Sequence, residues 1–312
     1  MKLSLSWFGA KPWRKSLFFA LAVLACLLAA AWYLKLPALA WYWANSLRQE
    51  QVWRQQSLWL PDYQASIDAQ PIEGVSLNAS GLTYDDRTQT LYLAVNNPAE
   101  IVELTTEGRL LRRIQVRGVE DLEGLTHIQD DQFVLIDERR QRLYRISIPP
   151  ETTQVDMTNA PWMELGILLN GNLGFEGVSW NSHLGLLFVA KEKSPLRIFS
   201  IKGFLPNVQA NNPLNLEIRE WQLKVDPRRF LRDLSSLSLH DRTGHLLVLS
   251  DESKMLAEYS KAGDLVSMAP LWRGWHGLAR AIPQAEGVTV DPQGTLYIVS
   301  EPNLFYRFEK RR

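Results

Sequence analysis

Cysteine is almost absent from this chain of 312 residues: Cys26 is the only one. A disulfide framework and a Cys-based zinc site are therefore excluded, although one cysteine suits any compartment. Excess charge of either sign is also missing. Lys+Arg and Asp+Glu both number 34, and no basic block stands out. That balance argues against nucleic acid as the main partner. There is no GxSxG, no P-loop and no dinucleotide fingerprint. The five histidines show no HxxxH spacing; His276, in "WRGWHGLARAIPQAEG", offers either a general base or an ordinary loop side chain.

A long apolar run is present. Ser16–Leu34, "SLFFALAVLACLLAAAWYL", holds 19 residues without a charge. As a helix it would span about 28 Å, close to a bilayer core of about 30 Å. Lys2, Lys11, Arg14 and Lys15 precede it and Lys35 follows. The positive-inside rule then places residues 1–15 in the cytoplasm, residues 16–36 across the inner membrane as a single pass, and the rest outside, in a periplasm if there is one. Seven of twelve tryptophans fall in the first 60 residues, which suits contact with headgroups. "VLAC" at Val23–Cys26 leaves lipoprotein processing open as an alternative, as is simple cleavage. Residues 37–61, rich in Trp and helix formers up to Pro61, read as a helical stalk on the membrane surface or a helix packed on the next domain.

The remainder, residues 62–312, repeats itself. "SGLTYDDRTQTLYLAVNN" begins at Ser80, "EGLTHIQDDQFVLIDE" at Glu123 and "EGVSWNSHLGLLFVAKEK" at Glu176. "SSLSLHDRTGHLLVLSDES" begins at Ser235 and "EGVTVDPQGTLYIVSEPN" at Glu286. Each copy opens with Glu or Ser, then Gly or Ser, Leu or Val, Thr or Ser. A polar turn, a β-rich run and an acidic or amide position follow. Start-to-start spacings are 43, 53, 59 and 51 residues. Repeats of this length with three or four short strands mark an all-β propeller, here of five blades. The insertions 149–172 and 203–230 have room for a sixth blade but lack the opening motif. Residues Ser66–Val75 are expected to close the ring against the last blade.

Blade geometry turns the repeat into a candidate site. Glu123, Glu176 and Glu286 occupy equivalent places, so the ring gathers them at one channel mouth, with Ser80 and Ser235 in the other two blades. Converging carboxylates repel unless some are protonated or a cation sits among them. All-oxygen ligation suits a hard ion, Ca²⁺ before Mg²⁺. Pairing with arginines or backbone amides is the competing reading. A second ring of acids follows one strand later: Asp137, Glu138, Asp251, Glu192, Glu252 and Glu301. The neighbouring Arg139, Arg140, Lys191 and Lys193 suggest inter-blade salt bridges there, with a substrate site as the alternative.

These segments, above all "QAEGVTVDPQGTLYIVSEPNLFYRF", resemble the SdiA-regulated, YjiK-like bacterial proteins over about residues 62–310. The resemblance implies an N-terminal membrane or export segment and a five-bladed propeller distantly similar to NHL-repeat propellers. It also implies a bound calcium ion and suggests a metal-dependent enzymatic function. It carries over Glu123, Glu176 and Glu286 as the opening acids, and Asp137, Glu138, Glu192, Glu252 and Glu301 as strand-end acids. Two functions are expected: the acid cluster on a rigid propeller suits a Ca²⁺-dependent hydrolase of lactones or phosphoesters, and the missing nucleophile motif suits a non-catalytic module binding an envelope protein or glycan.

Overall fold

The computed structural model describes residues 12–75, 77–166, 174–193, 195–204 and 215–311. Most of the expected cytoplasmic segment 1–15, and parts of the insertions 149–172 and 203–230, lie outside the described residues. Helix α1 (Pro12–Tyr33) is long and apolar enough to cross a membrane along Trp13–Tyr33, and nearly all of its described side chains are exposed. Helix α2 spans Leu36–Trp53, so it stops well before Pro61.

Residues Glu50–Arg312 form a compact unit of five antiparallel blades. Strand β1 (Tyr63–Pro71) comes first in the chain. Blade one is β2 (Ala79–Asp85), β3 (Thr90–Val95), β4 (Glu100–Leu104) and β5 (Leu110–Arg117). Blade two is β6 (Leu122–Gln129), β7 (Gln132–Asp137) and β8 (Arg142–Ser147), with β10 (Trp162–Glu164) outermost. Between β8 and β10 the chain crosses back, and β9 (Gln154–Asp156) pairs in parallel with β5. Blade three is β11 (Phe175–Asn181), β12 (Leu186–Lys191), β13 (Arg197–Lys202) and β14 (Glu217–Glu220). Blade four is β15 (Ser236–His240), β16 (His245–Ser250), β17 (Met255–Tyr259) and β18 (Leu265–Pro270). Blade five is β19 (Gln284–Val290), β20 (Leu296–Glu301) and β21 (Leu304–Lys310), and β1 completes it by pairing with β21. The ring therefore closes through the first strand of the domain, as the sequence suggests.

The innermost strands β2, β6, β11, β15 and β19 contact one another in turn around the ring. Apolar clusters fill the spaces between blades: Tyr92, Leu125 and Phe133 between blades one and two, Leu249, Val288 and Ile298 between four and five. Second strands such as β3 and β16 are covered on both faces, so "LYLAV" and "LLVLS" read as continuous apolar runs instead of alternating ones.

The glycine of the opening motif is where blades touch. A Cβ on Gly124 would overlap the Glu176 carbonyl oxygen, and one on Gly287 would overlap the Ser80 carbonyl oxygen. Blade four carries Ser236 there instead, and its hydroxyl accepts the Val288 N–H at 3.2 Å. The hydroxyl two places later stitches as well. Thr83 accepts the His127 N–H at 3.1 Å and Ser179 accepts the Leu239 N–H at 2.8 Å.

The segment after α2 is held by a buried carboxylate. Glu258 accepts the N–H groups of Leu58 and Trp59 at 2.9 and 3.1 Å, the Ser267 hydroxyl at 2.6 Å, and faces His245 Nδ1 at 2.8 Å. Every lone pair a buried carboxylate needs to share is thus engaged. Trp53 packs edge-on against His245.

Candidate metal centre at the channel mouth

All five inner strands begin at the same end of the channel. Four of them carry a register shift at the opening motif: between Ala79 and Leu82, Leu122 and Gly124, Phe175 and Val178, and Ala285 and Gly287. A bulge of this kind leaves one residue out of the ladder and re-aims its side chain. Glu123, Glu176 and Glu286 sit in these bulges. β15 begins with Ser235 and Ser236 and keeps regular pairing.

The ladders also decide which strand-end residues belong together. Leu122 faces Asp137, Phe175 faces Lys191 and Ala285 faces Ser300. One residue further on, the equivalent positions are Asn96, Glu138, Glu192, Asp251 and Glu301. Of the second-ring acids read from the sequence, Glu138, Glu192, Asp251 and Glu301 stand in this ring. Asp137 does not: it is buried and accepts the N–H groups of Glu120 and Arg140 at 3.1 and 3.2 Å, fastening a turn. Glu252 is displaced by one residue and pairs with Lys193 at 2.8 Å, an ion pair between blades three and four. Asp251 takes the ring position and accepts the Ala285 N–H at 3.1 Å.

Two groups of three carboxylates result among the described residues. Asp121, Glu123 and Glu138 bring ligand atoms within 4.8 Å of one another, and so do Glu138, Glu176 and Glu192. Glu138 belongs to both. Glu286 belongs to neither group, although its charge is felt by both Glu123 and Glu176. Asn96 Nδ2 bridges Asp121 Oδ1 and Glu123 Oε1 at 2.6 and 2.5 Å. Glu138 Oε1 accepts the Gly174 N–H at 2.9 Å, and Lys193 Nζ lies 2.5 Å from Glu192 Oε1. Asp121 is a member that the repeat pattern did not single out. Its counterpart is Asp233, hydrogen-bonded to the Ser250 hydroxyl. Both stand two residues ahead of the opening position, in "DLEG" and "DLSS".

The electrostatics reflect crowding. Burial, then Asp121 and Glu138, push Glu123 up to about 8. Burial and the neighbouring Asp121 and Glu192 push Glu138 up to about 7, against the stabilising Gly174 N–H. Burial, then Asp251 and Glu301, push Glu286 up to about 8. Glu176 is raised well above the usual carboxylate range by burial and by Glu192, Glu286 and Glu123. Such groups are either protonated near neutrality or neutralised by a cation. The donor set is all oxygen and belongs to a mouth with more carboxylates than ammonium groups, which fits a hard divalent ion. None of the five histidines belongs to either group. His276 instead holds the Tyr63 carbonyl with Nδ1 at 2.8 Å, stitching the β18–β19 connection to the closing strand.

The model of the SdiA-regulated family matches residues 55–309. Among solved structures, a streptogramin B lyase aligns with 80% of this chain and 98% of its own at 8% identity and a TM-score of 0.48. A luciferin-regenerating enzyme aligns with 77% and 94% at 12% identity and a TM-score of 0.48. A nidogen/laminin complex aligns with 72% and 73% at 12% identity and a TM-score of 0.45.

Proposed function

The chain belongs to the SdiA-regulated family, and from this premise we propose that it is a membrane-anchored extracytoplasmic propeller that holds Ca²⁺ at its acidic channel mouth and hydrolyses a lactone or phosphoester there. The observation that carries the reading is Glu138, one buried carboxylate shared by two three-carboxylate groups in which no histidine or thiol takes part. Glu123, Glu138 and Glu176 are the ligands on this reading, with Asp121 and Glu192 completing the shell. The ion would supply Lewis-acid polarisation of a carbonyl or phosphoryl oxygen. The chain supplies the rest. Asn96 orients Asp121 and Glu123, and Lys193 orients Glu192. Glu286, outside both groups yet with its proton affinity raised, is the carboxylate free to take or give a proton near neutral pH.

The apolar helix α1 and the basic residues before it support the topology of this reading. The N-terminus stays in the cytoplasm and the propeller lies in the periplasm, anchored in the inner membrane. A phosphatase reporter fused after Arg312 is active if the domain is exported, and a cytosol-dependent fluorescent reporter lights up in the opposite case.

One observation favours the alternative of a non-catalytic module for an envelope protein or glycan: among the described residues no histidine belongs to either carboxylate group to serve as a nucleophile's partner. Chromogenic lactones and phosphoesters, assayed with chelator and after Ca²⁺ is restored, separate the two. Turnover lost to chelator and regained with Ca²⁺ supports the hydrolase. Ca²⁺ binding without turnover of any substrate supports the module.

A further inference from the structure

The chain enters the propeller domain on a surface whose charge is opposite in sign to that of the acidic mouth. Arg54, just after α2, holds Asp62 through two contacts at 2.9 and 3.0 Å and Glu50 at 2.9 Å. The Asp62 carbonyl accepts the Arg311 N–H at 2.9 Å. The connection between β18 and β19 is laid over the residues that follow. Its His276 carbonyl accepts the Ala65 N–H at 2.8 Å, and its Ala279 N–H donates to Asp68 Oδ2 at 2.9 Å. Residues 50–54, 62–68 and 272–280 and the end of β21 thus form one continuous patch.

Four basic side chains stand on it: Arg273, Arg280, Lys310 and Arg311. All are exposed, and none is in an ion pair among the described residues. The acids nearby are already engaged. Glu50 and Asp62 face Arg54, Asp68 accepts the Ala279 N–H, and Glu309 is 2.8 Å from Arg307. The same loop carries tryptophan to the surface. Buried Leu278 pins it, donating its N–H to the Trp275 carbonyl at 2.9 Å. Trp275 is 38% exposed and stands perpendicular to Trp272, with ring centroids 6.4 Å apart. Basic groups without acidic partners beside an exposed indole suit the headgroup level of a bilayer. Position favours that partner too. Only α2 leads from Tyr33, the last residue of the apolar span, to Glu50 on the patch. At 18 residues α2 is about 27 Å long, which keeps a bilayer that holds α1 within reach.

We propose that this patch of the propeller docks on a bilayer surface carrying anionic phospholipid, as a second membrane contact beside the apolar span. The inference takes from the proposed function only the anchoring of α1. Trp275 enters the headgroup level, and Arg273, Arg280, Lys310 and Arg311 meet the lipid phosphates. Each basic residue near an anionic surface strengthens the contact by roughly fivefold, and salt weakens it.

The test uses the full chain with Cys26→Ser, so that one introduced cysteine carries an environment-sensitive fluorophore. Ala279→Cys labels the patch, and Arg139→Cys labels the mouth end of blade two; both positions are exposed. Each labelled chain is placed in nanodiscs of phosphatidylcholine, alone or mixed with phosphatidylglycerol, with a headgroup-level spin-labelled lipid as quencher. The label at 279 should be quenched when phosphatidylglycerol is present and released by high salt, while the label at 139 stays bright in both discs. Arg273→Gln, Arg280→Gln, Lys310→Gln and Arg311→Gln together should shift the docking equilibrium by roughly tenfold or more. No quenching at 279 with phosphatidylglycerol, equal quenching at both positions, or quenching unchanged by the four substitutions overturns the proposal. A chain that stays out of the discs refutes the anchor instead. The labelled chains are then mixed with phosphatidylglycerol vesicles holding the same quencher, and the same outcomes decide the patch.

Discussion

The two ends of the inner strands use the same residue type for opposite purposes. Where the strands finish, acidic and amide side chains are bound by backbone donors. Asp85 accepts the Arg87 N–H at 2.8 Å, Asn181 the Leu184 N–H at 2.9 Å and Asp291 the Thr295 N–H at 2.7 Å. These are turn fasteners of the Asx kind. Where the strands begin, bulges turn Glu123, Glu176 and Glu286 out of the ladder, and the carboxylates face one another more than they face donors. A carboxylate with its lone pairs filled by backbone N–H groups is architecture. A desolvated carboxylate facing others is stored repulsion, and it becomes a binding site once a cation arrives.

The largest effect that sharpens this contrast is expected at the best-satisfied acid. Glu258→Ala strands two backbone N–H groups, Ser267 and His245, and should cost about 3–5 kcal/mol, read by urea unfolding of the full chain in detergent. A loss below about 1 kcal/mol would break the comparison at its firmest point. Next is Asp291→Ala, which removes the acceptor of Thr295 N–H and of the Tyr297 hydroxyl at 2.9 Å. It should cost about 1–3 kcal/mol. Glu176→Gln should have the opposite sign. In chelator it relieves repulsion and should stabilise by roughly 1 kcal/mol, the low end of what neutralising a buried charge gains. Destabilisation of similar size would mean that Glu176 is another fastener.

Stability against pH gives a graded signal. Glu123 and Glu286 carry folded values of about 8 against an ordinary 4.5. Between those limits the folded chain binds more protons than the unfolded one. Stability of the metal-free protein should therefore fall as pH rises from 4.5 to 8. Thermal melts in chelator across that range check it, and a rising trend would contradict the crowding at the mouth.

The five blades were legible because each copy repeats a complete local instruction: a bulge with a small residue, a hydroxyl stitch, a turn, and a run covered on both faces. The small residue was legible as a close approach, and Gly124 against the Glu176 carbonyl shows what it approaches. The second ring was legible only to within one residue. In "IDE" and "SDE" two acids are adjacent, and only the ladder shows that Glu138 and Asp251 are the equivalent ring positions, with Asp137 one residue earlier and Glu252 one residue later. Asp121 carried a signal, its shared spacing with Asp233, but it lies ahead of the repeat's first position. The end of α2 was not legible. Beyond it, Glu258, some two hundred residues away in sequence, accepts the N–H groups of Leu58 and Trp59, a contact that no local pattern announces.

The central claim is that the opening end of the ring holds Ca²⁺. The most direct measurement is titration calorimetry of chelator-stripped full chain with Ca²⁺, alongside Glu138→Gln, the carboxylate common to both groups. Saturable binding to the native chain, with a melting temperature that rises by mass action and more with Ca²⁺ than with Mg²⁺, is the predicted result, with both responses lost in the variant. A native chain that gives no heat and melts at the same temperature in Ca²⁺ and in chelator would contradict it.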